Sequence, residues 1–344
     1  MPLTAWILLA LALLAAGLLS ALRNPLGRTS GTEDTAGGSP TPSPRPAKPP
    51  APSNARARPA LAAATSWGYQ LQNLDIARAA ASPFDLLVVD YAKDGADDTA
   101  ITAAEMARLR THPDGRRRLV VAYLSIGEAE SYRSYWQSSW TRAKPDWLLG
   151  ENPDWDENYA VCYWDTSWQR MMCGSPNSAL DKIIAAGFDG VYLDKCDVFE
   201  DLRRHFRRAA QGRPDLEADM VAFIAALSAH AKARDPDFLV IMQNAETLLD
   251  RPALRRAIDA VAKEELVFGD DGPGRHNGAE DIAFTRAKLD LLAAEGKPVF
   301  VVEYLDAAVK ITAAAAVASA AGYILYIAPK DRNLARLNYQ VAQV

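Results

Sequence analysis

Eight short apolar runs, most of them separated by Ala- and Leu-rich stretches, constrain the fold of this chain more than any other feature. The runs are rich in β-branched and aromatic residues and cover 67–71, 86–91, 119–125, 191–193, 238–242, 260–262, 299–304 and 323–327. The stretches between them, such as 102–110, 215–233 and 280–294, have a helical composition. Strands that alternate with helices predict a parallel sheet, and eight such strands predict a (β/α)8 TIM barrel.

A ninth strand-like run, 160–164, lies in a long segment that is rich in aromatic residues. We interpret this segment as an insertion after the third strand; the alternative, in which the run is the fourth barrel strand, stays open. The aromatic residues concerned are Trp136, Trp140, Trp147, Trp155, Trp164 and Trp168 with Tyr132, Tyr135, Tyr159 and Tyr163. Aromatic faces are platforms on which sugar rings stack, and we expect about half of these side chains to form the core of the insertion instead.

Carboxylates and amides follow nearly every predicted strand. The clearest case is the turn Asp189-Gly190, which leads into the run 191–193 and so to Asp194. The others are Gln70, Gln72, Asn73, Asp90, Ser125, Glu128, Glu130, Asp197, Gln243, Asn244, Glu246, Glu264, Glu265, Glu303 and Asp306. Polar groups at the carboxyl ends of barrel strands are the usual location of the active site. A ring of carboxylates suits cleavage of a glycosidic bond, which needs two carboxyl groups.

Metal and cofactor chemistry is not indicated. The four histidines are scattered without an HxxxH pair, and the three cysteines lack CxxC spacing. We therefore predict no metal, no cofactor and no disulfide framework, although Cys162 and Cys173 could pair if the domain is exported.

The N-terminal region differs in composition from the rest. Residues 3–22 form an uncharged apolar run about as long as a bilayer-spanning helix, so 1–22 is interpreted as a signal peptide or a membrane anchor. Residues 23–62 are rich in Pro, Ser and Ala and are predicted to be a disordered linker that precedes a catalytic domain at 63–344. Arg23 and Arg28 would favour a cytoplasmic side for the rest of the chain, but the tether favours an extracytoplasmic location, secreted or membrane-anchored.

The charge of the folded region bears on its partners. Residues 1–62 carry six basic and two acidic side chains, so the chain's net charge of −5 leaves −9 for residues 63–344. An acidic region argues against nucleic acid and is compatible with a cationic or neutral substrate. We expect contact with a membrane only through the N-terminal segment, and a monomer.

Several strings of residues resemble glycoside hydrolase family 114. They are Trp67-Gly68-Tyr69-Gln70-Leu71-Gln72, Val88-Val89-Asp90-Tyr91, Ala122-Tyr123-Leu124-Ser125-Ile126-Gly127-Glu128-Ala129-Glu130, Tyr163-Trp164-Asp165, 187–194 and Gln243-Asn244-Ala245-Glu246. The resemblance covers most of residues 66–330. It implies a (β/α)8 endo-α-1,4-polygalactosaminidase without cofactors, which cleaves a cationic, partly deacetylated galactosamine polysaccharide.

The resemblance also implies roles for individual residues. Asp194 is expected to be the nucleophile and Glu246 the general acid/base of a retaining mechanism. The expected sugar-binding residues are Gln70, Asp90, Tyr91, Ser125, Glu128, Tyr132, Trp164, Tyr192, Asp197, Gln243, Asn244, Glu264 and Tyr304. Lys195-Cys196 departs from the aliphatic or small residues expected there, and Lys330 is an unexpected cation at the rim. The rival hypotheses are hydrolysis of another α-linked glycan and non-catalytic carbohydrate binding on the same barrel.

Overall fold

The computed structural model describes residues 59–270 and 272–339. Its strands are β1 (Trp67–Gln70), β2 (Leu86–Val89), β3 (Leu119–Ser125), β4 (Glu128–Glu130), β5 (Leu148–Asn152), β6 (Trp155–Val161), β7 (Gly190–Asp194), β8 (Leu239–Gln243), β9 (Ala260–Glu264), β10 (Val299–Tyr304) and β11 (Ile324–Ala328). Its α-helices are α1 (Pro59–Ala62), α2 (Ile76–Ala80), α3 (Ala103–Leu109), α4 (Thr166–Met172), α5 (Ala179–Ala185), α6 (Val198–His205), α7 (Leu216–Arg234), α8 (Pro252–Ala257), α9 (Ala279–Ala293) and α10 (Ala308–Ala321). Short 3-10 turns cover Asp97–Thr99, Ser138–Thr141 and Glu246–Asp250.

The main sheet is a nearly closed parallel barrel. Its eight strands follow the order β1-β2-β3-β7-β8-β9-β10-β11, and neighbouring strands pair in parallel. Strand β1 lies beside β11, where the indole N–H of Trp67 donates to the carbonyl of Ile324 at 3.1 Å. The predicted (β/α)8 barrel is confirmed, with strand ends that differ from the predicted ones by a few residues at most.

Aromatic rings fill much of the barrel interior. Trp67 packs against Tyr69 with ring centroids 6.0 Å apart and against Phe300 at 5.3 Å. Tyr192 lies 5.1 Å from Tyr69, and both rings are buried. Barrel interiors are filled by layers of side chains rather than left as pores, so these rings form the base on which the mouth of the barrel rests.

Between β3 and β7 lies a separate three-stranded antiparallel sheet with the strand order β4-β6-β5. Ala160 in β6 pairs with Glu128 in β4, directly beyond the end of β3. The run 160–164 therefore belongs to the insertion, as the preferred interpretation predicted. The alternative that makes it the fourth barrel strand is wrong.

The insertion has an aromatic core of its own. The rings of Trp140 and Trp147 meet edge-to-face at 5.1 Å, and Trp147 lies 5.4 Å from Trp168. These three tryptophans are buried, whereas Trp155 is 52% exposed. The expectation that about half of the aromatic residues form this core is confirmed for the tryptophans.

The start of the folded region is earlier than the predicted residue 63. Helix α1 occupies the last four residues of the predicted linker, and its Leu61 is fully buried in the core. The predicted leader 1–22 and the rest of the linker up to residue 58 lie outside the described residues. Within the described part, no helix is both long and apolar enough to span a bilayer. Cys162, Cys173 and Cys196 are free thiols, so the structure contains no disulfide between the first two.

Candidate active site

A cleft of about 600 Å³ opens at the carboxyl ends of the barrel strands. Residues at or beyond the ends of all eight barrel strands line it, and the hairpin of β5 and β6 adds Trp155, Asp156, Glu157 and Asn158 on one side. Of the residues expected from the sequence, the cleft is lined by Asp90, Glu128, Tyr132, Asp194, Asp197, Gln243, Asn244, Glu264 and Tyr304. The polar side chains that the sequence predicted at this rim therefore line a cavity.

Asp194 is the last residue of β7 and lies in this cleft. Its Oδ2 accepts a hydrogen bond from the Tyr123 hydroxyl at 2.7 Å, and its Oδ1 accepts the backbone N–H of Lys195 at 2.7 Å. Burial and then the nearby charge of Glu264 raise the pKa of Asp194 to about 7, against the lowering effects of Lys195 and the Tyr123 hydrogen bond. Raised carboxyl pKa values of this kind are typical of catalytic sites.

Glu264 ends β9, two strands from Asp194 in the barrel. The amide groups of Gln243 and Asn244 donate to its Oε2 at 2.5 and 3.3 Å, and the Tyr304 hydroxyl donates to its Oε1. Neutral donors alone hold this carboxylate, because no ion pair to it occurs among the described residues. Strands two positions apart are roughly 10 Å apart at the backbone. The two carboxyl groups line the same cleft, and the charge of Glu264 acts on Asp194.

Glu246 is not in the cleft, which corrects its expected place opposite Asp194. It lies in the 3-10 turn beyond β8, where its Oε1 accepts the Thr285 hydroxyl of α9 at 3.1 Å. The physical reason is local: Asn244 and Ala245 both have left-handed backbone conformations, with φ of 53° and 51°, and turn the chain out of the barrel mouth. The carboxylate that shares the cleft floor with Asp194 is Glu264, which sequence reasoning ranked only as a binding residue.

An arginine neutralises two further carboxylates of the cleft. Arg133 lies 2.7 Å from Glu130 and 2.8 Å from Asp90, and its guanidinium stacks 5.1 Å from the ring centroid of Tyr132. The hydroxyl of Tyr132 donates to Glu130, so all four side chains form one network. This network fixes the wall formed after β2 and β4.

A lysine neutralises Glu128. Lys195 Nζ lies 3.0 Å from Glu128 Oε1, which also accepts the Asn152 amide at 2.9 Å. Asp197, three residues after Asp194, makes no ion pair with another described side chain; burial raises its pKa, against the lowering effect of the nearby charges of Lys195 and Lys263. An unpaired, largely desolvated carboxylate is costly, and such groups often occur where a ligand supplies the missing cation.

Several residues next to the barrel strands adopt left-handed backbone conformations although they are not glycine. Lys195 follows β7 with φ of 56°, Asn244 follows β8, and Glu265 follows β9 with φ of 54°. Such conformations are uncommon for residues with a Cβ and concentrate at functional sites. Here they lie beside the cleft carboxylates.

Five expected binding residues do not line the cleft. Gln70 is buried and donates to three backbone carbonyls, and Ser125 is buried below the rim. Tyr192 belongs to the aromatic interior of the barrel, and Tyr91 faces a small neighbouring pocket. Trp164 packs against Tyr163 with Arg213 over its ring.

Sequence reasoning missed other residues that the cleft contains. Tyr69 and Tyr123 lie within apolar runs and look like core residues, but their long side chains reach from the strands to the cleft. The Tyr69 hydroxyl donates to Gln243, which in turn donates to Glu264. The ion pair between Arg133 and Glu130 could have been predicted from the spacing of three residues between them. No pattern in the sequence distinguishes Trp155 from its buried neighbours.

The donor set of the site gives no indication of a metal centre. Within residues 59–270 and 272–339, no group of three or more His, Cys, Asp or Glu side chains has a geometry that could hold a metal ion.

A parallel barrel with two carboxylates on the floor of a cleft at its carboxyl end is the architecture of a glycoside hydrolase. Comparison with known proteins identifies the family. Residues 46–343 match the model of glycoside hydrolase family GH114, and the chain belongs to that family.

Relatives occur in distant organisms. A protein of Deinococcus radiodurans is 40% identical over 284 residues, which are 81% of this chain and 85% of the relative. A protein of Methanocaldococcus jannaschii is 36% identical over 284 residues, 79% of this chain and 78% of the relative. The solved glycoside hydrolase domain of PelA from Pseudomonas aeruginosa has the same fold, with a TM-score of 0.57 and 19% identity over 80% of this chain and 98% of that domain.

Proposed function

We propose that this glycoside hydrolase is an endo-acting enzyme that cleaves an α-1,4-linked, partly deacetylated galactosamine polysaccharide with Asp194 and Glu264. The observation that carries the proposal is the pair itself. Two carboxyl groups, both free of ion pairs within the described part of the chain, line the same cleft, and the charge of Glu264 acts on Asp194. Hydrolysis of a glycosidic bond needs such a pair.

In the proposed retaining mechanism, Glu264 gives a proton to the glycosidic oxygen as the bond to the anomeric carbon breaks. The ionised Asp194 attacks that carbon and forms a glycosyl ester. Glu264 then takes a proton from water, and the resulting hydroxide displaces Asp194 and releases the sugar. The Tyr123 hydroxyl and the Lys195 N–H orient Asp194, while Gln243, Asn244 and Tyr304 orient Glu264.

Charge supports a cationic polymer as the substrate. Asp194, Asp197 and Glu264 form no ion pair among the described residues, although the charge of Lys195 acts on both aspartates, and the chain from residue 63 onward has a net charge of −9. Trp155 and Tyr132 line the cleft while 52% and 40% exposed, so their rings are available to stack on sugar units. Carboxylates that bind ammonium groups and rings that bind sugar faces suit an aminosugar chain.

The test is turnover of partly deacetylated α-1,4-galactosamine polymer by the full chain and three variants. Asp194→Asn and Glu264→Gln should each lower kcat by at least about a hundredfold, since acid–base and covalent catalysis contribute that much. Glu246→Gln is the matched comparison, because Glu246 bonds to Thr285 outside the cleft, and its rate should stay within a few-fold of the wild type.

Each outcome has a distinct reading. A hundredfold loss in Glu246→Gln with an active Glu264→Gln would restore the pair expected from the sequence. No release of oligosaccharides by the folded wild type would refute the proposed substrate, and a panel of other α-linked glycans would then separate a different hydrolase from a binding protein.

We also propose an extracytoplasmic location, with residues 1–22 as leader or anchor and 23–58 as a tether. The support is the apolar run and the Pro-rich composition of the sequence. Protease added to intact cells should then digest the protein; full protection that is lost on lysis would contradict this location.

A further inference from the structure

Lys195 holds an unusual position between two acidic residues of the cleft. Its backbone is left-handed, with φ of 56°, and its N–H is bonded to Asp194. Its carbonyl oxygen lies 2.1 Å from the place that a Cβ on Gly127 would occupy, so close packing against that glycine fixes the main chain. The main chain of Lys195 is therefore held in one position, next to Asp194 and Gly127.

The ammonium group of Lys195 occupies the position at which Glu128 would otherwise bind a cation. The two charged atoms are 3.0 Å apart, and Asp201 lies 3.7 Å from the same nitrogen. The Glu128 side chain is only 4% exposed and that of Lys195 is 23% exposed, yet both line the cleft. A ligand that enters this part of the cleft meets the lysine rather than a bare carboxylate.

The carboxylates of the cleft therefore differ in whether a cationic side chain pairs with them. Beyond β2 and β4, Arg133 neutralises Asp90 and Glu130. Lys195 forms an ion pair with Glu128, whereas Glu264 forms none among the described residues; Asp197 forms none either, but the charges of Lys195 and Lys263 act on it. An amine on the substrate is attracted to Glu264 and meets the like charge of Lys195 beside Glu128.

We propose that Lys195 is a specificity-determining residue that makes the subsite beside Glu128 select a sugar unit with an uncharged substituent, such as an N-acetyl or hydroxyl group. The ammonium donates a hydrogen bond to the carbonyl or hydroxyl oxygen of that substituent and repels a protonated amine. Specificity of this kind comes as much from the repelled competitor as from the accepted ligand. The inference rests on the proposed function, because it assumes that an aminosugar chain occupies the cleft.

The test compares two probes, a fully deacetylated and a half-acetylated α-1,4-galactosamine oligomer of equal length. The wild type should prefer the half-acetylated oligomer. Lys195→Met keeps the length of the side chain and removes its charge, so the ratio of kcat/KM should shift at least about tenfold towards the deacetylated oligomer, as expected when a like-charge contact is removed. Lys195→Arg keeps the charge and should keep the preference.

A second variant acts in the opposite direction. Glu128→Gln removes the nearer of the two carboxylates beside the Lys195 ammonium and leaves only Asp201, at 3.7 Å, so discrimination against the deacetylated oligomer should increase. A merely structural role of Lys195, or a general effect on the pKa of Asp194, would change the rates for both oligomers by the same factor. An unchanged ratio in folded Lys195→Met, or the same shift in both variants, would overturn the proposal.

Binding measured by calorimetry separates this inference from the proposed reaction. The probes are titrated into Glu264→Gln and into the double variant Glu264→Gln/Lys195→Met. A tenfold shift in relative affinity supports the role of Lys195 even if the wild type hydrolyses neither oligomer, in which case only the proposed reaction fails. Equal relative affinities overturn the role of Lys195 whatever the turnover, and no binding of either oligomer overturns both.

Discussion

The hydrogen bond from Tyr123 to Asp194 gives a quantitative prediction about pH. In the proposed mechanism Asp194 is the nucleophile and must be ionised, so kcat/KM should rise about tenfold per pH unit on its acid limb below pH 7, where the pKa of about 7 places that limb. The Tyr123 hydroxyl lies 2.7 Å from Oδ2 and stabilises the ionised form. Tyr123→Phe removes this bond and keeps the ring.

The size of the shift depends on the bond that is lost. A hydrogen bond to a charged group contributes about 1.5–3 kcal/mol, and each pKa unit corresponds to about 1.4 kcal/mol. The pKa of Asp194 should therefore rise by roughly one to two units in Tyr123→Phe. At pH 6, where the wild type has about a tenth of its plateau activity, the variant should have about a hundredth or less.

The assay is the initial rate of reducing-end release between pH 4 and pH 9. Tyr323→Phe is the control, because it removes a hydroxyl that donates a hydrogen bond to Asp290. Tyr323 directly precedes β11 and so lies at the end of that strand away from the cleft. The amines of the substrate titrate in all three proteins, so only the difference between profiles is interpreted. An unmoved acid limb would refute the role of Tyr123. Activity that falls through pH 7 instead of rising would make Asp194 the general acid.

Three further predictions concern the wall, a buried carboxyl and a glycine. Trp155→Ala should raise KM about three- to tenfold with little change in kcat, because the cleft loses one aromatic platform. The control is Phe284→Ala on α9, which removes an equally exposed ring outside the cleft and should change neither constant. Equal effects of the two variants would contradict the role of Trp155 as a platform. Burial raises the pKa of the Glu303 carboxyl to about 8 in the folded protein. The protonated carboxyl therefore contributes fully to the free energy of unfolding below the pKa of an unfolded glutamate, and this contribution is lost as the pH rises towards 8. Urea unfolding should show the wild type losing up to about 1.4 kcal/mol per pH unit relative to Glu303→Gln between pH 5 and 8, and parallel curves would refute this. Gly127→Ala should lower the free energy of unfolding by about 2 kcal/mol or more, because its Cβ would overlap the Lys195 carbonyl, and an unchanged thermal midpoint would contradict that overlap.

The barrel could be predicted from the sequence because each of its strands is a short, continuous apolar run between helical stretches. Strands β3 (Leu119–Ser125) and β10 (Val299–Tyr304) have the predicted bounds. The insertion could also be recognised, since a ninth run does not fit an eight-stranded barrel. Apolar periodicity is a local property, and these elements depend on it.

The composition of the site was harder to predict. Carboxylates at strand ends indicated the correct rim, but the partner of Asp194 depends on how the chain turns after β8. Two consecutive left-handed residues, Asn244 and Ala245, direct Glu246 towards α9 and leave the floor to Glu264. Asn is enriched in this conformation but Ala is not, so the sequence gives only a weak signal for that turn. Tyr123 was equally inconspicuous, because a tyrosine within an apolar strand has the pattern of a core residue.

The inserted sheet gives the floor and one wall of the cleft separate supports. The floor carboxylates Asp194 and Glu264 end strands of the barrel, while Trp155 and its neighbours belong to a hairpin that rests on its own tryptophan core. Residues could thus be gained or lost at the tip of that hairpin without moving either carboxylate. In the descendants of such a protein, the number of sugar units gripped and the chemistry of bond breaking can change independently, one by remodelling the hairpin and the other only by altering the barrel.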